Sequence, residues 1–303
     1  MTLTILYGIK ENRRDVTNIC LTRLNMNNVI TIPAEDGVRA SYFGDHLVGI
    51  VKKVFIILNG NETEHIQNFQ DYCITINLAD YTINTPINAN PIHEKLNNIH
   101  RNLKIKYGTF RDELPEQKIA VSYLTGSEKV LEIGGSIGRN SLVIASIVNN
   151  NNFVSLETHA IIAKFLEENR NLNNFTFHIE NSALSKRRLI QRGSDSKPSD
   201  VLEEGYFWVN TITFDQLKEK YNIPFDTLIL DCEGAFYYIL MDMPEILNGI
   251  NLIIMENDYT NINHKLFVDD TLKNNNFYNC YREAGGWGCC YSNFFEVWKR
   301  QDL

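Results

Sequence analysis

Apolar positions change their period near residue 90. Over residues 1–90, short β-type runs (Thr4 to Tyr7, Val29 to Ile32, Val48 to Leu58, Cys73 to Leu78) alternate with turn formers. These are Glu35-Asp36-Gly37, Gly44-Asp45 and Asn59-Gly60-Asn61, and helical periodicity is scarce. The spacing predicts a small, mostly antiparallel β domain. Thr82 to Pro91, with two prolines and no apolar period, reads as a linker. Beyond it, Ile92, Leu96, Ile99 and Leu103 fall at helical spacing. Pro115-Glu116-Gln117 opens a second helix through Ala120, Val121 and Leu124, which Gly126 closes.

From Gly126 onward, strands and helices alternate. Val130 to Ile133 reads as a buried strand, Asn140 to Val148 as a helix, Phe153 to Leu156 as a strand, Ala160 to Asn171 as a helix and Thr176 to Ile179 as a strand. Thr211 to Tyr221 follows as a strand end and helix, and Phe225 to Leu230 as an apolar strand. Then come a helix through Leu240 and Ile246 and a strand over Ile250 to Met255. Loops of this length suit βαβ units, so the fold class is α/β with a parallel sheet and flanking helices, behind a small N-terminal mostly-β domain. Ser185 to Glu204 reads as an inserted hairpin or loop. The expected organisation is therefore 1–90, a β-rich accessory domain; 91–125, a linker and helical cover; and 126–303, the α/β domain.

Composition narrows the classes. The 303 residues are 44% hydrophobic and 22% charged, ordinary for a globular chain. A net charge of -8, with no basic block longer than Lys186-Arg187-Arg188, argues against nucleic acid as partner. That triplet reads as a solvated face or as a contact to an anionic substrate. The amino terminus lacks the apolar core of a signal peptide and no stretch reaches the length of a membrane span, so a cytoplasmic protein without membrane association is expected. Six cysteines without a C-x-x-C pair predict reduced, structural thiols.

The candidate chemistry begins at Glu132-Ile133-Gly134-Gly135-Ser136-Ile137-Gly138. Glycines after a strand let backbone adopt positive φ or approach a ligand, and the helix beyond offers free N–H groups. The spacing departs from the G-x-G-x-x-G of dinucleotide sites. An acid precedes the first glycine, and the next strand ends in Glu157, able to accept from both ribose hydroxyls of a nucleoside. S-adenosylmethionine fits this better than NAD. Asp231, in Asp231-Cys232-Glu233-Gly234, and Glu256, in Glu256-Asn257-Asp258, end two further strands. Four strand-end acids, Glu132, Glu157, Asp231 and Glu256, would then lie in phase along the sheet's carboxyl edge, where α/β folds bind ligands. Asp231, Glu256 and Asp258 are also the oxygen donors expected to hold a divalent metal, if one is present.

VLEIGGSIGRNS, FVSLETHA, ENSALS, VNTITFDQL, TLILDCEGAFYYIL and LIIMEND together make residues 115–299 resemble the class I S-adenosylmethionine-dependent methyltransferases, and within them the FkbM family. The resemblance implies a Rossmann-like methyltransferase sheet and O-methylation of a sugar, nucleotide-sugar or glycan hydroxyl, with S-adenosylhomocysteine as product. It places Glu132, Gly134, Gly135, Ser136 and Gly138 around the methionine part of the cofactor. Glu157 would sit on the ribose, Asn181, Ser182 and Ala183 beside adenine, and Asp231 at the methyl group. Asp231, Glu256 and His264 are the candidate proton acceptors; Glu233, Asp258 and Trp287 are the candidate acceptor-binding residues. Aromatics of the tail, Phe294, Phe295 and Trp298 among them, either line the acceptor pocket or pack the core. Two alternatives stand beside this: a methyltransferase acting on nucleic acid or protein, and a non-catalytic scaffold on the same fold. The β domain is the expected surface for a homo-oligomer.

Overall fold

A computed structural model describes residues 2–33, 36–65, 74–84, 91–193, 195–286 and 288–301. The chain divides into two compact units, Met1–Asn90 and Pro91–Leu303.

The first unit holds two four-stranded antiparallel sheets. One has the order Asn12–Asp15, Leu3–Ile9, Lys53–Leu58, Asn61–His65; the other has Asn25–Met26, Val29–Ile32, Ile74–Asn77, Ile83–Asn84. Ile5, Tyr7, Ile30, Ile32, Val54, Ile56, Ile74 and Ile76 alternate inward to form its core. Two helices, Thr17–Arg23 and Asp36–Phe43, lie where the pattern had little helical period. Asp36 opens the second helix rather than forming a turn, because the Arg39 guanidinium, 1% exposed, reaches back to the Pro33 carbonyl (2.5 Å). The run expected from Val48 pairs only from Lys53. The expected linker is a strand at Ile83–Asn84 and a helix from Pro91; residues 85–90, and Cys73 of the expected strand, lie outside the described residues.

The second unit is built on a seven-stranded sheet. Its strands are β1 (Val130–Ile133), β2 (Phe153–Leu156), β3 (His178–Glu180), β4 (Thr227–Leu230), β5 (Leu252–Glu256), β6 (Phe277–Glu283) and β7 (Phe295–Arg300). Its helices are α1 (Pro91–Asn102), α2 (Leu114–Tyr123), α3 (Arg139–Ala145), α4 (Ala160–Leu172), α5 (Phe214–Tyr221), α6 (Phe236–Asp242) and α7 (Ile262–Asn274). The order β3-β2-β1-β4-β5-β7-β6 is parallel through β5, and β7 runs antiparallel to both its neighbours. This is a Rossmann-like sheet whose strand order reverses direction between β1 and β4. The mostly apolar β1, β2 and β4, each broken by one buried polar residue (Glu132, Ser155 and Thr227), are buried on both faces. Leu131, Ile133, Leu228 and Leu230 enter one core, with Phe236, Ile239 and Leu217. Val130 and Ile229 enter the other, with Ile119, Leu142 and Leu166.

Phe294, Phe295 and Trp298 are 2%, 6% and 1% exposed, so these three aromatics of the tail pack the core, whereas Tyr291 is exposed. Ser185 to Glu204 contains a hairpin, Leu189–Arg192 with Asp195–Pro198, to which Phe207–Val209 adds a third strand. Among the described residues no helix is long and apolar enough to cross a membrane.

Candidate functional site

The strand register decides which acids meet. Ile133 of β1 lies opposite Leu156 of β2 and Leu230 of β4, and Leu230 lies opposite Met255 of β5. One step further along the sheet, Glu157, Asp231 and Glu256 therefore form one row, and the residue of β1 level with them is Gly134. Glu132 sits two residues deeper, opposite Ser155 and Ile229, so the row expected to hold four acids holds three.

Glu132 is buried at 3% exposure, and its Oε2 accepts from Ser141 Oγ and Ser155 Oγ, each at 2.5 Å. It pins α3 and β2 beneath the glycine turn. Burial pushes its carboxyl up to about 7, against the two serine hydrogen bonds, which favour the charged form. Gly134 has φ 97°, and a Cβ there would lie 1.6 Å from the Asp231 carbonyl oxygen. Only glycine lets β1 leave the sheet this close to β4.

A cavity of about 590 Å³ opens over the carboxyl ends of β1, β2 and β4, the place where an open α/β sheet binds ligands. Ser136 and Glu157 form one wall: the Ser136 N–H donates to Glu157 Oε2 (2.9 Å), and the His159 N–H donates to Oε1 (2.7 Å). Burial raises the Glu157 carboxyl and these two backbone donors oppose the rise. Ser182 and Ala183 continue the wall. Asn181 does not line the cavity, since its amide donates to the carbonyls of Glu157 (2.8 Å) and Thr158 (3.1 Å). The Leu189–Arg192 hairpin closes one side with Leu189 and Gln191, and α6 closes another with Tyr238 and Ile239.

Five carboxylates line this cavity: Glu113, Glu157, Asp231, Glu233 and Asp242. The guanidinium among the lining residues, Arg187, already holds both Asp242 oxygens, at 2.5 and 2.6 Å. Lys186 bonds Glu245 (3.1 Å) and Arg188 lies over the Trp208 ring (4.1 Å), so each side chain of the basic triplet has a partner within the protein, with Lys186 and Arg188 exposed at the surface.

Asp231 also joins a second group. Its carboxylate oxygen and those of Glu256 and Asp258 lie within 4.8 Å of one another. Glu116, from α2, is hydrogen-bonded to Glu256. Burial and repulsion from neighbouring acids raise all four; Asp258, whose repelling neighbour is Glu233, stands at about 6. Gly135 lies beneath the turn and Gly138 begins α3; neither lines the large cavity. His264 is on the first turn of α7, stacked on Tyr237 (3.8 Å, 3°), and not in the cavity wall as a proton acceptor would be. Trp287 lies outside the described residues.

Glu113 and Glu116 were not singled out as site residues in the sequence. The signal for Glu116 was its spacing: it shares the helical face of Ile119 and Ala120, both buried, so an acid stands in an apolar stripe.

No protein-family model matches the chain, and no curated protein matches it. Solved structures do. An O-methyltransferase from Bacillus cereus in complex with SAH is similar at 14% identity over 68% of this chain and 91% of that one, with a TM-score of 0.41. A ribosomal protein L11 methylase from Lactobacillus delbrueckii subsp. bulgaricus is 9% identical over 65% and 82% of the two chains, TM-score 0.39. A protein of the NADB-Rossmann superfamily from Streptococcus agalactiae is 10% identical over 66% and 72%, TM-score 0.40. At these identities and TM-scores the chemistry has to be read from the site's own geometry.

Proposed function

We propose that the 91–303 unit is an S-adenosylmethionine-dependent O-methyltransferase of FkbM type, acting on a hydroxyl of a sugar, nucleotide-sugar or glycan. The observation that carries this is the charge of the cavity: five carboxylates around a glycine turn, of which Asp242 is paired with Arg187 and Glu113 with Arg139, while Glu157, Asp231 and Glu233 have no basic partner among the described residues. Such a wall favours a ligand carrying positive charge, as a sulfonium and an ammonium do. The pyrophosphate of a dinucleotide would find no free cation among the described lining residues.

The residues present fit the group. Glu157, held rigid by two backbone N–H donors, would accept from the ribose hydroxyls; Ser182 and Ala183 would flank the base, and Asp231 would face the cationic end. The bound cofactor supplies an electrophilic methyl group. The protein's own work is to orient an acceptor hydroxyl in line with it and to take up the proton as the hydroxyl becomes acidic. Asp231, at the meeting of the cavity and the acid cluster, is the first proton acceptor, with Glu256 behind it. Glu233 and Tyr238, which line the same cavity as Asp231, would hold the acceptor. The sugar class rests on the motifs that resemble the FkbM family. Acidic overall charge and the pairing of Lys186 with Glu245 and of Arg187 with Asp242 weigh against nucleic acid. Cytoplasmic residence and self-association through the 1–90 unit belong to the same proposal.

Thermal unfolding with S-adenosylhomocysteine tests it. A ligand at about 100 times its Kd adds roughly 2.7 kcal/mol to the folded state. The wild type should show that shift and Glu157→Ala should lose it; turnover of nucleotide-sugar acceptors should follow. Absence of a shift at millimolar ligand in the wild type would sink the methyltransferase reading, and binding without turnover of any acceptor would favour the scaffold.

A further inference from the structure

The inserted hairpin turns one face onto the large cavity. Its register pairs Leu189 with Pro198 and Gln191 with Ser196, and side chains opposite one another in a ladder share a face. All four line the cavity, and of the two polar ones Gln191 is buried, at 5% exposure. Its Nε2 donates to the Gly193 carbonyl (2.8 Å), which fixes the amide's orientation, since a carbonyl takes only the NH₂ end. Its Oε1 is closed off from solvent and has no hydrogen-bond partner. A buried amide oxygen without a donor is costly, and native structures leave few of them.

The ladder also places this group at the Glu157 end of the cavity. Phe207 lies opposite Gln191 on the third strand, and its ring meets the His159 ring edge-on at 5.2 Å. His159 is the residue whose N–H holds Glu157 Oε1. The side chains expected beside the base are engaged elsewhere. Asn181 donates to the Glu157 and Thr158 carbonyls, and Ser182 Oγ donates to Glu180 (3.0 Å).

We propose that Gln191 selects the base of the cofactor, its Oε1 accepting from the exocyclic amine of adenine. This rests on the cofactor reading above and adds to it a residue outside the motifs that carry the family resemblance. The terminal torsion of glutamine is soft, so rotation about it turns Oε1 from the wall towards a donor in the cavity. With Nε2 on Gly193, the side chain offers the ligand an acceptor and no donor. A base with an oxo group in place of the amine would set oxygen against oxygen and leave both unpaired, which is how a buried polar group discriminates.

Titration calorimetry on the full chain tests this with two probes, S-adenosylhomocysteine and S-inosylhomocysteine, whose base carries an oxo group where adenine has the amine. The wild type should bind the adenine compound roughly tenfold more tightly, the worth of one net hydrogen bond. Gln191→Leu removes the acceptor at similar volume, and circular dichroism checks its fold. It should bind the two compounds alike, through weaker binding of S-adenosylhomocysteine. Equal binding of both compounds by the wild type overturns the proposal without recourse to any variant. So does a folded Gln191→Leu that keeps the wild-type preference, because another group would then read the amine. The cofactor reading fails separately, by binding of neither compound to the wild type, and takes this proposal with it.

Discussion

Replacing Glu132 by glutamine isolates one buried carboxyl whose titration bears on stability. Glu132 is 3% exposed, and burial raises it from 4.5 to about 7. In the unfolded chain it ionises near 4.5, whereas in the folded protein it keeps its proton until about 7. The folded state binds more protons across that window, so this contribution is full below about 4.5 and is lost as pH rises through about 7. At 1.36 kcal/mol for each factor of ten in the proton equilibrium, the loss comes to about 3 kcal/mol. Glutamine resembles the protonated carboxyl, and its carbonyl oxygen can accept from Ser141 and Ser155 where Oε2 does now. The variant should therefore match the wild type near pH 5 and exceed it by about 3 kcal/mol above pH 8. At about 2–4 °C per kcal/mol for a unit of this size, the two melting profiles should separate by roughly 6–12 °C between those pH values. Raised acids elsewhere, such as Glu116 and Asp258, are common to both proteins and cancel in the difference. Profiles that stay parallel from pH 5 to pH 8 would refute the reasoning, because Glu132 would then ionise alike in both states.

Two further substitutions probe what holds the site's frame. Asn169, fully buried on α4, accepts from the N–H groups of Lys106 (2.8 Å) and Tyr107 (3.2 Å) and donates to the carbonyls of Tyr107 (3.1 Å) and Ile137 (2.8 Å). Asn169→Ala should lower stability in urea by about 3 kcal/mol or more, since four backbone groups lose their partner at once; a change below about 1 kcal/mol would show that water replaces the amide. Lys265, 1% exposed, bonds Glu296 (2.6 Å), which is 0% exposed, and Asp269 as well. Lys265→Met should cost about 3 kcal/mol, the low end for a broken buried pair, because Arg282 still reaches Glu296 (3.2 Å). Adding Glu296→Gln should recover most of that loss in chemical denaturation, and failure to recover would mean the lysine acts through packing instead.

Much of the second unit was legible because its signals are local. Phe153 to Leu156 is a short β-rich run between an asparagine turn and an acid, and it forms the strand it reads as. Glycine at 134 and 138 and proline at 115 act on their own φ angles, so they mark a strand exit and two helix starts wherever the chain later goes. The acids after β2 and β4 follow from the same short-range pattern. Helix α7 was missed, although Asn261 caps it by accepting from the Asn263 N–H (3.0 Å), because Ile262 and Leu266 on its surface are exposed and its apolar stripe is weak.

What the sequence determined by itself was the type of each element and the presence of acids at strand ends, since propensity, capping and alternation operate over a few residues. Tertiary structure alone decided which of those acids meet. Parallel register set Glu132 two residues below the row and turned it onto Ser141 and Ser155. Packing of α2 on the sheet brought Glu116 to Glu256, and the fold of the Ser185 to Glu204 insertion put Arg187 on Asp242. Burial and charge at these points depend mostly on neighbours far along the chain, from 23 residues for Ser155 and Glu132 to 55 for Arg187 and Asp242, and a local pattern carries no record of those distances.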